Sequence, residues 1–180
     1  LRFTHFYNTG RCCPTRASLL TGLYPHQAGV GNMIRDQNLL GYRGQLNRDC
    51  VTMAEVLGSA GYFTAAIGKW HLTRYDNPND RAAIRSSWPM ERGFDTFYGT
   101  LPGGGNYFDP KGLMRDNEAI RAGEDFYYTD AISEEAAKVV RRAAELDKPL
   151  FLYVSYTAPH WPLHALEEDI ARYRETYAKG

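Results

Sequence analysis

The sequence predicts an α/β fold, and three observations carry that prediction. Two short apolar runs, "YFTAAIG" (62–68) and "PLFLYVSY" (149–156), have the length and composition of buried strands. Between them, "YTDAISEEAAKVVRRAAEL" (128–146) places apolar residues at helical spacing. Ahead of the first run, "TMAEVLGSAGY" opens with Thr52 followed three residues later by Glu55, the pattern of a capping box. Strands alternating with helices point to a sheet covered by helices.

In chain order, "RFTHFY" alternates aromatic and polar residues and is expected to be a strand ending near Asn8. "NTGRCC" is a turn. Pro14 suits the first turn of a helix, and Thr15 to Leu23 carry helix formers until Gly22 and "YP" stop it. The capping-box helix follows, with Gly58 and Gly61 near its end. The strand "YFTAAIG" then closes on "KWHL". Residues 73–126 are rich in Asp, Asn, Gly, Pro and Arg; "GFDTFYGT" (93–100) is expected to be one strand there and the rest loops and short pieces. The unbroken run "PLFLYVSY" is of the kind covered on both faces in a parallel sheet. "APHWP" is the loop after it, and a last helix is expected from about Ala165 to Tyr177.

The 180 residues are 43% hydrophobic, enough for one sizeable core. Lys and Arg (21) balance Asp and Glu (21), so no global basic field recruits nucleic acid or an anionic membrane, and an anionic ligand needs a local cluster. No stretch approaches the roughly 18 to 20 apolar residues needed to span a bilayer. The chain starts without Met in what reads as a strand, so further sequence upstream is expected. Cys12, Cys13 and Cys50 are too few for a disulfide framework and leave the compartment open.

Chemistry-bearing residues collect at the expected carboxyl ends of three strands, the edge where open α/β sheets bind ligands. Cys12 sits at the start of the first helix, where free N–H groups and the positive dipole end favour an anion. Arg16 follows one turn later with a planar fork suited to a tetrahedral oxyanion. Lys69 and His71, two apart at a strand end, share a side, while Trp70 faces into packing. Together they make a cationic site that also transfers protons. His160 lies between Pro159 and Trp161, in a loop that prolines stiffen. Taken singly, each has a bland reading: a buried inert thiol, a solvated lysine, a satisfied histidine. His5, His26 and His164 are assigned no role.

With these residues in place, the sequence resembles the sulfatase family. The signature Cys-x-Pro-Thr-Arg-x-x-x-Leu-Thr-Gly stands complete as Cys12, Pro14, Thr15, Arg16, Leu20, Thr21 and Gly22, and "GKWHL" and "APHWPLHA" match the next two active-site segments in order. The resemblance covers essentially the whole chain and is strongest to bacterial arylsulfatase-like members, for which a periplasmic or extracellular setting is implied. It implies an alkaline-phosphatase-like fold, a mixed and mostly parallel sheet flanked by helices, with residues 1–180 forming part of a single catalytic domain whose N-terminal strand and C-terminal portion lie outside them.

The resemblance also implies the chemistry. A maturation enzyme oxidises Cys12 to formylglycine, whose hydrate attacks the sulfur of a sulfate monoester and uses its second hydroxyl to eject sulfate. Cys13 fills the variable slot. Arg16 steadies the diol, Lys69 binds sulfate oxygens, His71 removes the proton that triggers sulfate release, and His160 binds sulfate and protonates the leaving oxygen. A divalent cation, calcium in most of the family, contacts residue 12. The substrate is a sulfate-ester small molecule or a sulfated sugar. The family's calcium carboxylates, two adjacent aspartates upstream of the signature and an Asp-Asn pair far downstream, are absent; Asp116-Asn117 precedes His160 and is a decoy. The rival readings are a phosphonate or phosphodiester hydrolase of the same superfamily, a catalytically incomplete relative, and a zinc module, whose usual cysteine spacing adjacent cysteines do not match.

Overall fold

A computed structural model describes residues 2–74 and 81–178. Its centre is a five-stranded mixed sheet in the order β4-β3-β2-β1-β5, with β1 Phe63–Lys69, β2 Thr96–Thr100, β3 Leu113–Arg115, β4 Glu118–Ala119 and β5 Leu150–Ser155. β1 pairs in parallel with both β2 and β5, while β3 and β4 add an antiparallel margin. Every residue of β1 is buried, as its unbroken apolar run requires of a central strand. Gly68 in β1 lies in register with Gly99 and with Ser155, and a Cβ at either glycine would overlap backbone of the neighbouring strand. The three strands therefore close tightly one residue before Lys69.

Helices cover both faces. On one, α1 (Cys12–Thr21) packs Cys13, Ala17 and Leu20 with Ala66, Trp70, Phe94 and Phe97. On the other, α4 (Tyr128–Glu145) lays Tyr128, Ile132, Val139 and Ala143 against Phe63, Ala65 and Ile67. Each large apolar side chain so buried contributes about 1.5–3 kcal/mol. α1 ends where Gly22 takes φ +70°, a left-handed cap that glycine adopts without penalty. α2 (Met53–Ser59) starts on the expected capping box: Thr52 accepts from the Glu55 N–H at 3.1 Å, and the Glu55 carboxylate accepts from the Thr52 N–H at 2.6 Å.

Several expectations are corrected. "RFTHFY" is not a strand: residues 2–10 are irregular and exposed, with Phe6 and Tyr7 each 84% accessible. Alternation alone does not make a strand when, among the described residues, no neighbour satisfies its backbone groups. Cys12 consequently follows an irregular segment, not a strand end. β5 is an edge strand of the described sheet, and most of its residues are only partly buried. The last helix, α5, is shorter than expected, Glu167–Tyr173. Part of the span 73–126 falls outside the described residues; the rest holds β2, a short helix α3 (Arg81–Arg85), a 3₁₀ turn at Pro89–Arg92 and the β3–β4 hairpin. Asp116-Asn117 is the turn of that hairpin: Asp116 takes φ +52°, and its carboxylate accepts from the Thr96 hydroxyl and the Phe97 N–H, each at 2.9 Å. Its carboxylate is engaged by donors of β2.

Candidate active site

α1 begins at Cys12 itself, so the thiol lies within the first turn, half-buried, with Cys13 fully buried behind it. All three cysteines are free. Arg11 supplies no side-chain cap and the first turn holds no acidic residue, leaving the positive end of the helix uncompensated from within. The Cys12 and Cys13 sulfurs each lie 3.9 Å from Met33 Sδ. Together with a ring nitrogen of His71, their ligand atoms fall within 4.8 Å of one another. The first and second sequence segments thus meet.

Arg16 does more than face the helix end. Its Nη1 donates to the Lys69 carbonyl at 2.7 Å, to the Tyr153 hydroxyl at 2.8 Å and to Ser155 Oγ. One guanidinium nitrogen therefore ties α1 to the last residue of β1 and to two residues of β5. Tyr153 and Ser155 were not singled out from the sequence. Period-2 alternation along β5, which sets Phe151, Tyr153 and Ser155 on one face, was the signal that could have found them. An open cleft of about 490 Å³ lies here, lined by Cys12, Arg16, Leu19, Tyr153, Val154 and Ser155.

Lys69 is 3% exposed and His71 5% exposed. Burial and the Arg16 charge push the Lys69 ammonium below its usual range, while the neighbouring cysteines oppose that shift. His71 is pushed down to about 3 by burial first, then by the positive charges of Lys69, Arg16 and His160. It is a neutral base at neutral pH. Cys13 is pushed up to about 12 by burial and by Cys12, so it stays a thiol. Trp70 does face into packing, donating its indole N–H to the Ser87 carbonyl at 2.8 Å. His71, however, leaves the strand in a left-handed conformation, φ +58°, so simple alternation does not describe how it reaches the site.

His160 follows β5 in an exposed loop with cis peptides before Pro159 and Pro162. Its Nδ1 stands 2.6 Å from the Trp161 carbonyl, which only accepts, so Nδ1 carries the proton and Nε2 is the free working nitrogen. The remaining histidines described are structural or exposed: His26 contacts the Tyr42 hydroxyl at 3.0 Å, and His164 accepts from the Tyr107 N–H.

The donor set bears on the implied cofactors. Cys12 is half-buried and lines the open cleft. Calcium takes six to eight oxygen ligands, many of them carboxylates. Among the described residues, the group of converging ligand atoms is the soft set Cys12, Cys13 and His71, next to two cations. That set does not fit calcium. No helix among the described residues is long and apolar enough to cross a membrane.

A family model described as Sulfatase matches residues 1–180. An uncharacterized sulfatase of Schizosaccharomyces pombe is 31% identical over 100% of this chain and 35% of its own length. An arylsulfatase of Klebsiella aerogenes is 31% identical over 100% of this chain and 40% of its own. Among solved structures, Ps i-CgsB in complex with k-i-k-neocarrahexaose superposes with a TM-score of 0.72 at 34% identity, over 91% of this chain and 38% of that one. A protein in complex with its substrate D-glucosamine-2-N,6-O-disulfate gives 0.70 at 27% identity, over 97% and 30%. The chain thus spans about two fifths or less of the length of these relatives, and its sheet is part of their alkaline-phosphatase-like fold. On a match that runs the whole chain and takes in all three active-site segments, this chain belongs to the sulfatase family.

Proposed function

We propose that residues 1–180 supply the nucleophile and proton-transfer half of a sulfuric ester hydrolase, arylsulfatase-like, within a single catalytic domain that extends beyond them. The observation that carries this is the convergence of Cys12, at a helix start, with neutral His71, Lys69 and Arg16. Cys12 converted to formylglycine would supply a hydrated aldehyde, a nucleophile with a second hydroxyl available for product release. The residues around it have separable tasks. Lys69 and the free N–H groups of α1 face developing negative charge on sulfate oxygens in a site where burial strengthens every charge interaction. His160, in the imidazolium form with protons on both ring nitrogens, gives the Nε2 proton to the departing alcohol oxygen as the sulfur–oxygen bond breaks. His71, neutral, takes a proton at a ring nitrogen when sulfate departs. Arg16 holds α1 against β1 and β5, so that residue 12 and Lys69 keep their separation.

Calcium, if this protein uses it as its family does, takes its carboxylates from outside residues 1–180, and no step above depends on it. The similar structure in complex with D-glucosamine-2-N,6-O-disulfate favours a sulfated sugar or a related small sulfate ester as substrate. The test begins with the modification. In protein co-expressed with a formylglycine-generating enzyme, the tryptic peptide 12–16 should carry one aldehyde, at residue 12, and one thiol, at residue 13. That protein should hydrolyse an aryl sulfate, and Cys12→Ala should not. Two intact thiols, or activity surviving in Cys12→Ala, would overturn the reading.

A further inference from the structure

His71 and His160 leave different strands, yet one segment touches both. This is the loop from Leu101 to Tyr107, after β2, with the run Gly103-Gly104-Gly105 at its centre. Its first residue accepts from the His71 N–H at 3.0 Å, continuing the Trp70 N–H contact to the Thr100 carbonyl. At Gly103 a Cβ would overlap Cε1, Nε2 and Nδ1 of the His71 ring. At Gly104 a Cβ would stand 2.7 Å from Nδ1 and 2.8 Å from Cε1 of His160. Three residues on, the buried Tyr107 donates its hydroxyl to the His160 carbonyl at 2.7 Å and its N–H to His164 Nδ1 at 3.3 Å.

We propose that Gly103, Gly104 and Tyr107 are positioning residues, and that this loop sets where the base His71 and the acid His160 stand relative to each other. The two rings depend on it differently. His71 Nδ1 is buried with no hydrogen-bond partner, so shape and packing hold that edge of the ring, and Gly103 forms one wall of its seat. His160 has a hydrogen bond at Nδ1 and is exposed, so it has room to yield. Glycine at 103 is required for close approach, since its backbone angle is one that other residues adopt. Tertiary contacts of this kind matter because a misplacement of about 1 Å can cost on the order of a hundredfold in rate.

The proposal rests on the roles given above to the two histidines, and the test separates the two. In the native, formylglycine-bearing enzyme, Gly103→Ala should lower kcat by about a hundredfold with KM little changed. It should reproduce whatever defect His71→Ala shows, and add little when combined with it, because a residue acting through another is not additive with it. Gly104→Ala and Tyr107→Phe should give smaller losses, severalfold, that grow with poorer leaving groups and vanish in a His160→Ala background. With isotope-labelled histidines, the NMR ring signals of His71 should move in Gly103→Ala and those of His160 in Gly104→Ala. Additive losses in both double variants, or ring signals that stay put, would overturn the proposal. Should Gly103→Ala not fold, the Tyr107→Phe cycle with His160→Ala decides by the same criterion. If His71→Ala itself shows no defect in sulfate release, the role assigned to His71 falls, while the match between Gly103→Ala and His71→Ala still judges the positioning.

Discussion

In the proposed site, His71 and His160 stand in opposite conditions. His71 is sealed beneath the sheet edge, 5% exposed, pressed by two cations and held neutral. His160 stands in an exposed loop with its Nδ1 tied to the next residue's carbonyl. The difference teaches how one fold assigns proton chemistry. A base that must stay unprotonated is best buried beside positive charge, and an acid that must recharge its proton is best left near solvent. The sealed side should therefore be intolerant of change and the open side forgiving.

The largest expected effect is on the sealed side. His71→Ala should lower kcat by about a hundredfold or more, in the range of lost acid–base catalysis. The alcohol product should appear in a rapid burst of one equivalent per formylglycine, followed by a stall, because release is the step that fails. A steady, unburst decline would mean that His71 does not act after the first step.

The same burial makes a stability prediction. The unfolded imidazole titrates at 6.5 and the folded one at about 3, so between those values the unfolded state binds the extra proton. Stability is therefore complete above pH 6.5 and falls as pH drops toward 3, by on the order of a few kcal/mol from this group. Urea midpoints of wild type and His71→Ala, compared between pH 7 and 4, should converge as pH falls. Parallel curves would show that the imidazole is not sealed.

Arg16 joins the two sides, and Arg16→Lys tests whether its geometry or its charge matters. A lysine keeps the charge but not the planar, fixed group that carries a single nitrogen to the Lys69 carbonyl, Tyr153 and Ser155 together. Losing one charge-assisted hydrogen bond of about 1.5–3 kcal/mol corresponds to roughly a ten- to hundredfold loss of rate per formylglycine. Near-full activity per modified molecule would reduce Arg16 to a local positive charge.

The smallest effect belongs to the open side. His160→Ala should cost about tenfold for alcohols that leave poorly and much less for a good leaving group such as a nitrophenol, which needs little protonation. There should be no burst. If the loss is the same for both leaving groups, His160 is a sulfate ligand and not an acid.

Much of this was legible in the residues. The capping box at Thr52 and Glu55, the run that became β1, and the helical period of α4 are local signals, and local chemistry decided them. Five residues, Cys12, Arg16, Lys69, His71 and His160, were named from motif spacing, and they lie on the segments that meet. The failures share a cause. "RFTHFY" carries a strand's pattern, but strand formation depends on a partner that no local signal supplies. β5 has the composition of a covered strand, yet coverage is a property of what lies beside it. Asp116-Asn117, by contrast, was set aside as a decoy from its place in the chain, and it is a hairpin turn.

By itself, then, the sequence determined the α/β class and the family, and it named the side chains proposed to carry chemistry, because periodicity, capping and a spaced motif are written in neighbouring residues. Only the tertiary structure decided which way each one works. That Arg16 spends one nitrogen on β1 and β5, that His71 is neutral, and that a glycine run after β2 abuts both histidines are facts about residues about 30 to 140 positions apart. Burial, charge proximity and steric contact act through space, and the linear order of residues does not encode distance in space.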